Sequence, residues 1–559
     1  MKNYKRIIAS SSALVLAVTA LASCGSSATP VGRDTKVPTI SVMTQQNNIT
    51  SADQRSPVVQ EIENYLGKKM GEKYNKEYDQ VKIDFQWTPS SGYMEKVTAA
   101  MGANEYPKVM LVTDRSSSVI QNSKVGTFWD LTGKFEEKNA DGSLKYPYLA
   151  QSNPVVNRNI SVDGKLYGIY RARVIGRQGM IFRKDWTENL YKKGVLDFQV
   201  PDTVEDLDKM VRAYKDNDPD GNGKDDTYGM IITSFIDGPV GNLAIWCGSP
   251  NEWGYDDEAK KWKPWFMSEG YFKALTLIRD WYADGYVNKN MVSLDADKWD
   301  NEFLNGYGGI QIDVADRGRR NAGKMEDPDS VDIIGYVRTD RESEPKIWPT
   351  TGHMGYYVIP QPAVPDEADL EFILSVLDQC NDPYVVGLCN YGIEGIHYEL
   401  DANGKVAQKK ADDGKTNFKA EDYADLNQFS MGVTDGPEYL KTAFATKAAE
   451  KVDKVQKDNE QYAVMNPMAP YTSKSFATSG TMMNAIFSEA RTNYLVGKID
   501  EAGYKQAIED WMKMDGEKVM QEYAEAYEAD PLNDLDGDGK ADIPDEFKFK
   551  FRFGNVKSD

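Results

Sequence analysis

Short runs of β-branched and apolar residues alternate with helical patterns near the start of this 559-residue chain, and this alternation constrains its fold most strongly. Ser56 can cap a helix that begins at Pro57, and a second helix is predicted around residues 93–101. Because parallel strands need a crossover connection, this strand–helix–strand order predicts a parallel or mixed α/β sheet. The predicted strands are 39–43, 81–87 and 109–112.

The length of the chain indicates more than one lobe, since single hydrophobic cores stop growing at about 250–300 residues. The α/β pattern resumes after Gly168, and helical patterns dominate from about residue 438 to 527. We therefore expect two α/β lobes with helical additions.

A net charge of −21 argues against nucleic acid as a partner, because phosphate binding needs clustered Lys and Arg. Cys247, Cys380 and Cys389 are expected to be buried free thiols, although Cys380 and Cys389 could form a bridge.

The N-terminus has the features of a secretory signal. Basic residues precede an apolar stretch, 7–21, whose last residue begins the tetrapeptide Leu-Ala-Ser-Cys at positions 21–24. This tetrapeptide matches a bacterial lipobox, so Cys24 is predicted to become the acylated first residue of the mature protein. A plain signal peptide with a nearby cysteine is the alternative. We predict a signal peptide over 1–23, a flexible tether over 24–37, and a lipid anchor on the extracellular face of the cell membrane.

Four motifs resemble segments of one protein family. They read DGKLYGI at 163–169, FRKDW at 182–186, PDTVEDL at 201–207 and YGIEGIHY at 391–398. These segments are similar to those of extracellular solute-binding proteins of family 1, in the lipoprotein branch common in Gram-positive bacteria. Tyr170 stands where the family usually has proline, so the local turn is expected to differ there.

The resemblance implies an α/β fold of the type II periplasmic-binding-protein class, with two lobes, a hinge of several strands and a helical C-terminal region. It also implies a monomeric binding component of an ABC importer, which takes an oligosaccharide or another small solute between its lobes and works with permease subunits. The sequence does not specify which solute. The predicted lobes are 38–168 with about 351–460, and 169–350 with about 461–530, followed by an acidic tail over 531–559.

Two acidic segments have the spacing of a calcium-binding loop, in which oxygen ligands surround a glycine at position 6. Position 12 of the first loop is Gly229 and not an acidic residue, which predicts weaker binding of a structural Ca²⁺ ion. The second loop lies in the tail and could clamp the tail to the body. The alternatives are a surface turn and a solvated acidic tail. The predicted ligands are Asp218, Asp220, Asn222, the Lys224 carbonyl and Asp226 in the first loop, and Asp534, Asp536, Asp538, the Lys540 carbonyl, Asp542 and Asp545 in the second.

Candidate sugar-binding residues are aromatic and polar side chains next to predicted strand ends and to the crossings between lobes. Sugars present apolar faces and hydroxyl rims, so their sites combine aromatic rings with Asp, Asn, Gln and Arg. A place in the core is the alternative for each aromatic residue, and the paired arginines could instead bind an acidic sugar or another anion. The candidates are Trp87, Asp114, Arg171, Arg173, Trp246, Asp313, Arg317 and Tyr356.

Enzymatic function is not indicated by any catalytic motif. The chain has two histidines and contains no H-E-x-x-H, no G-x-S-x-G and no complete P-loop. Two other classes stay open: a tethered glycoside hydrolase, because 87 acidic residues supply many carboxylate pairs, and a polysaccharide-binding surface adhesin. We predict a binding protein and not an enzyme.

Overall fold

The computed structural model describes residues 30–414, 416–429, 431–432 and 436–554. The predicted signal peptide, the lipobox and Cys24 lie outside these residues. Within them, no helix has both the length and the apolar character that crossing a bilayer requires. The three other cysteines are buried and unbridged, as predicted.

Strands and helices alternate along most of the described chain. The strands are β1 Thr39–Gln46, β2 Lys82–Pro89, β3 Val109–Val112, β4 Ile169–Ala172, β5 Gln178–Arg183, β6 Tyr228–Met230, β7 Trp253–Asp256, β8 Lys261–Pro264, β9 Gly308–Val314, β10 Val331–Ile334, β11 His353–Val358, β12 Tyr398–Leu400, β13 Val406–Gln408 and β14 Lys548–Phe549. The helices are α1 Pro57–Tyr74, α2 Tyr93–Ala103, α3 Ser117–Lys124, α4 Pro154–Asn159, α5 Lys184–Lys192, α6 Val204–Asp216, α7 Asp237–Trp246, α8 Glu269–Ala283, α9 Trp299–Leu304, α10 Asp316–Ala322, α11 Glu367–Gln379, α12 Pro383–Tyr391, α13 Lys447–Asn459, α14 Lys474–Leu495, α15 Glu501–Trp511 and α16 Glu517–Ala529.

The first lobe is built on a five-stranded sheet with the order β2-β1-β3-β11-β4. Strand β1 is parallel to β2 and β3, whereas β11 runs antiparallel to both β3 and β4. The three predicted strands and the mixed α/β sheet are therefore confirmed. Helix α1 begins as predicted: the Ser56 side chain accepts hydrogen bonds from the amides of Val58 and Val59, and Pro57 occupies the first helical position.

The second lobe is built on a four-stranded sheet with the order β10-β5-β9-β6. Strand β9 is parallel to β6 and antiparallel to β5, which in turn is antiparallel to β10. Each lobe has its own hydrophobic core. The core of the second lobe also contains side chains of the C-terminal helices α14, α15 and α16, so the predicted helical C-terminal region belongs to it.

Three chain segments run between the two sheets and hydrogen-bond to one another. The amide of Arg173 donates to the carbonyl of Gly352 at 3.0 Å, and the amide of Thr350 donates to the carbonyl of Ile175 at 2.9 Å. Ile347 pairs in turn with Ala463 of the third segment. This arrangement is the predicted hinge of several strands.

Two predicted lobe borders differ from the sheet memberships in the structure. Strand β4, predicted to begin the second lobe, is an edge strand of the first sheet. Helix α13, predicted to belong to the first lobe, packs against β10 and α10 of the second lobe through Ala448 and Val452. Both segments lie next to crossings, where the sequence pattern does not reveal which sheet an element joins.

The predicted acidic tail returns to the second lobe after its acidic loop. Strand β14 pairs with β7, and Phe553 inserts into the core of that lobe. Before this return, Asp530 and Asn533 accept hydrogen bonds from Arg158 of α4 at 3.1 and 2.6 Å. The tail therefore contacts both lobes.

Candidate functional site between the lobes

The edges of the two sheets at which most strands have their carboxyl ends face each other. Strands β1, β2, β3 and β4 run in one direction, so their carboxyl ends share an edge. The chain leaves β4 at that edge and enters the amino end of β5, which lies beside the carboxyl ends of β6, β9 and β10. Open α/β sheets bind ligands outside the carboxyl ends of their strands, so these two edges form the candidate site.

Two predicted arginines lie at the edge of the first lobe without an acidic partner in the described part of the chain. Arg171 is 9% exposed, and its guanidinium group contacts Gln45 Oε1 at 3.5 Å and Met354 Sδ at 3.9 Å. The Nε of Arg173 is buried without a hydrogen-bond partner in the described chain. Burial lowers the pKa of both groups, and Asp425 offsets this effect only partly at Arg171. Among the residues that the structure describes, no carboxylate forms an ion pair with either arginine.

A third arginine, which the sequence analysis missed, links the lobes at the same edge. Arg115 follows β3 and donates hydrogen bonds to the carbonyls of Ser161 at 2.6 Å, Pro470 at 2.8 Å and Ala469. Burial, together with the charges of Arg115 and Arg173, lowers the pKa of His353 to about 4. The edge of the first lobe therefore carries several positive charges and a neutral histidine at pH 7.

Asp313 and Arg317 lie at the edge of the second lobe, but they bind each other. The Nε of Arg317 donates to Asp313 at 2.5 Å, and Nη1 donates to Asp300 at 2.6 Å, while its Cζ lies 4.6 Å from the ring centroid of Trp299. Burial acts to lower the pKa of Arg317, but these carboxylates raise it overall. The pair is thus neutralised within its own lobe.

Two predicted stacking aromatics are core residues, which is the alternative that the sequence left open for each aromatic. Trp246 and Tyr356 are each 1% exposed, in the cores of the second and first lobes respectively. Trp87 is half-buried: its ring stacks on Phe85 at 5.0 Å, and Nε1 donates to the Ala52 carbonyl at 2.7 Å. A ligand has no access to the two buried rings because protein atoms cover their faces.

Other apolar side chains are exposed at the facing edges. Phe235, which is 44% exposed, follows β6 and lies next to Gly238 at the start of α7. On the first lobe, Met354 is 39% exposed. The predicted Asp114 is also exposed, and its Oδ1 accepts a hydrogen bond from the amide of Ser116. Asp114 was found by its position after a predicted strand, whereas β6, the strand before Phe235, was not predicted.

The first acidic loop folds into a turn in which most of its predicted ligands meet. The amide of Asn222 donates to Asp218 at 3.1 Å and to Asp220 at 3.2 Å, and its side chain donates to Asp220 at 2.9 Å and to Asp226 at 3.2 Å. Burial raises the pKa of Asp220. For Asp218 burial acts in the same direction, but hydrogen bonds from Gly223 and Asp220 lower its pKa overall. A cation would stabilise this arrangement, in which two neighbouring carboxylates have pKa values shifted in opposite directions.

The second acidic loop brings three carboxylates together. One oxygen from each of Asp534, Asp536 and Asp542 lies within 4.8 Å of the others. Asp538 accepts a hydrogen bond from the amide of Lys540 at 2.9 Å. Asp545, the predicted ligand at position 12, instead forms an ion pair with Lys548 at 2.7 Å. The donor set suits a hard cation, with oxygen ligands only.

Comparison with known proteins shows which protein family the chain is similar to. Residues 69–308 match the family model described as "Bacterial extracellular solute-binding protein". Lipoprotein LipO of Bacillus subtilis is 30% identical over 526 residues, which cover 92% of this chain and 98% of LipO. The polygalacturonan/rhamnogalacturonan-binding protein YtcQ of the same species is 28% identical over 450 residues, which cover 80% of this chain and 85% of YtcQ.

A solved structure shares the two-lobed fold. The HMO-binding, ABC-transporter-associated solute-binding protein of Bifidobacterium longum infantis superposes with a TM-score of 0.63 at 15% identity, covering 88% of this chain and 98% of its own. The predicted type II α/β fold is confirmed, and the matched family consists of binding proteins and not of enzymes, as predicted. The chain belongs to the bacterial extracellular solute-binding proteins.

Proposed function

We propose that this protein is the substrate-binding component of an ABC importer and captures an acidic oligosaccharide between its lobes. The observation that carries the proposal is the pair Arg171 and Arg173, one buried and one half-buried side chain without an acidic partner in the described chain, at the edge that faces the second lobe. A buried charge is costly unless it is paired, so a ligand that brings carboxylates would stabilise this edge.

The comparisons support a carbohydrate ligand. YtcQ is named for binding polygalacturonan and rhamnogalacturonan, which are polymers of acidic sugars. Arginine suits such ligands because its planar fork can bind a carboxylate through two parallel hydrogen bonds. Phe235 and Met354 would supply apolar contacts to the sugar faces. The protein would act as a monomer and deliver the sugar to the permease subunits.

Replacement of Arg171 tests this proposal. Arg171→Gln is expected to weaken binding of an oligogalacturonate by roughly tenfold to a hundredfold, because a hydrogen bond to a charged group contributes about 1.5–3 kcal/mol. Titration calorimetry should compare it with a neutral galactose oligomer of equal length. Arg33→Gln, which alters an arginine near the opposite end of the first lobe, is the control. Equal binding of acidic and neutral oligomers by the native protein would contradict the proposal.

The lipid anchor is the second part of the proposal. Its support is the match of residues 21–24 to a lipobox, together with the name of the relative LipO. An anchored protein would stay on the extracellular face of the membrane, next to its permease.

Loss of the acylated cysteine should release the protein. Cys24→Ser is expected to move most of the protein from the membrane fraction to the soluble fraction, because no thioether-linked lipid can form. Immunoblots of both fractions after a salt wash would measure this. Retention of Cys24→Ser at the native level would mean that another segment holds the protein.

We also propose that each acidic loop binds a structural Ca²⁺ ion. The support is the convergence of Asp218, Asp220 and Asp226 around Asn222, and of Asp534, Asp536 and Asp542 in the tail. Neither ion would take part in chemistry. Each would hold a loop that connects a helix to a later strand of the second lobe.

A further inference from the structure

A groove of about 800 Å³ opens on the first lobe, at the end opposite the facing edges. Its floor is the face of three neighbouring strands, β2, β1 and β3, near their amino ends. One wall is α2 with the loop that follows it, and the other is formed by Pro362 and Ala363. This volume is typical of sites for small ligands. The groove shares no lining residue with the candidate oligosaccharide site.

A polar row crosses the floor of this groove. The register of the strands places Ser41 opposite Asp84 on β2 and next to Lys108, which immediately precedes β3. Because neighbouring strands lie about 4.8 Å apart, the Cα atoms of Lys108 and Asp84 are separated by about 10 Å, with Ser41 between them. All three side chains point to the same face of the sheet.

The two charged side chains of this row, Lys108 and Asp84, have no hydrogen-bond or ion-pair partner among the described residues. Lys108 is 6% exposed, and its ammonium group forms no ion pair or hydrogen bond with any described residue. Burial lowers its pKa, and the more distant charges of Asp369 and Asp84 offset this only partly. Asp369 itself is paired with Arg33 at 2.9 Å. The carboxylate of Asp84 likewise has no hydrogen-bond partner in the described part of the chain.

The hydroxyl of Ser41 completes a set of donors. Its Oγ accepts a hydrogen bond from the amide of Lys108 at 3.0 Å, which leaves its own hydrogen free to donate. Lys108 and Ser41 therefore present donors side by side, as an oxyanion requires. Asp84, at the other end of the row, presents only acceptors and would repel a second anionic group. These features match a ligand with one carboxylate and a nearby hydroxyl.

We propose that this groove binds a small hydroxycarboxylate, with its carboxylate on Lys108 and Ser41 and a hydroxyl group on Asp84. The ligand would supply a counter-charge to the Lys108 ammonium group, which has no ion-pair partner among the described residues. The site is separate from the one proposed for oligosaccharides, and each can fail without the other.

Gluconate, compared with its neutral counterpart sorbitol, tests the proposal on the full chain. Calorimetry should detect binding of gluconate and not of sorbitol. Lys108→Met, which keeps the length of the side chain, is expected to weaken gluconate binding at least tenfold, and Ser41→Ala severalfold. Arg171→Gln should leave the gluconate affinity unchanged, because that arginine lies at the other end of the sheet. Lys498→Met, which alters an exposed lysine of the second lobe, is the control.

A second measurement keeps the test valid if Lys108→Met folds poorly. Reductive ¹³C-methylation makes each lysine visible by NMR, and the signal absent from Lys108→Met identifies Lys108. Its pKa should lie below the ordinary value for lysine and rise when gluconate is added. Lack of gluconate binding to the native protein, equal binding of sorbitol, or an unchanged pKa of Lys108 would each overturn the proposal.

Discussion

Trp246→Ala should destabilise the second lobe by about 3–5 kcal/mol, the range for truncating a buried tryptophan to alanine. The ring is 1% exposed and belongs to the core formed with α8 and the C-terminal helices. Removing it takes away apolar contacts and leaves a cavity that the surrounding helices can fill only partly. Chemical denaturation, followed by near-UV circular dichroism, should show the unfolding transition of the second lobe at a lower denaturant concentration.

Trp246→Phe is the matched variant for this prediction. The Nε1 of Trp246 is buried without a hydrogen-bond partner among the described residues, so phenylalanine removes an unsatisfied donor while it keeps most of the apolar volume. We expect Trp246→Phe to cost less than half as much stability as Trp246→Ala. If Trp246→Ala keeps native stability and weakens oligosaccharide binding instead, the residue contacts the ligand and the burial described above does not hold in solution.

Local signals in the sequence were sufficient to predict the start of α1 and the strands β1, β2 and β3 of the first lobe. Ser56 and Pro57 define the start of α1 by chemistry within a few residues, and alternation in 81–87 requires only its own sequence. The type II fold followed from the family resemblance, whose motifs are equally local. Tyr170 shows the limit of that resemblance: it replaces a proline, yet it lies within β4 and its hydroxyl accepts a hydrogen bond from the amide of Asn153 at 2.9 Å.

The site was predicted less well because burial depends on distant segments. Helix α7 is buried on every side from Gly238 to Trp246, so its sequence has no polar stripe that would show which residues face a ligand. Arg317 and Asp313 were correctly placed at a strand end, but Asp300, which helps to neutralise Arg317, comes from α9. No acidic side chain of the described chain forms an ion pair with Arg171, and its role in ligand binding stays a prediction.

Calcium removal should lower the melting temperature through two separable contributions, one from each acidic loop. An ion that binds only the folded state stabilises it by about 2.7 kcal/mol when its concentration is one hundred times the dissociation constant. Asp218→Ala with Asp220→Ala should remove the part due to the first loop, and Asp534→Ala with Asp536→Ala the part due to the second. The first part is expected to be smaller, because position 12 is Gly229 and supplies no carboxylate.

Melting curves in calcium and in EDTA measure these contributions. The protein with all four substitutions should melt at the same temperature in both solutions, and each variant with one altered loop should keep a partial response. Asp141→Ala, which removes an exposed aspartate from an ordinary turn, is the control for loss of charge. Because the chain has a net charge of −21, a general screening effect of calcium would persist in all variants, and magnesium at the same concentration would reproduce it. A native protein that melts identically in calcium and EDTA would refute both sites. If substitutions in one loop abolish the whole difference in melting temperature, the calcium site in the other loop is refuted.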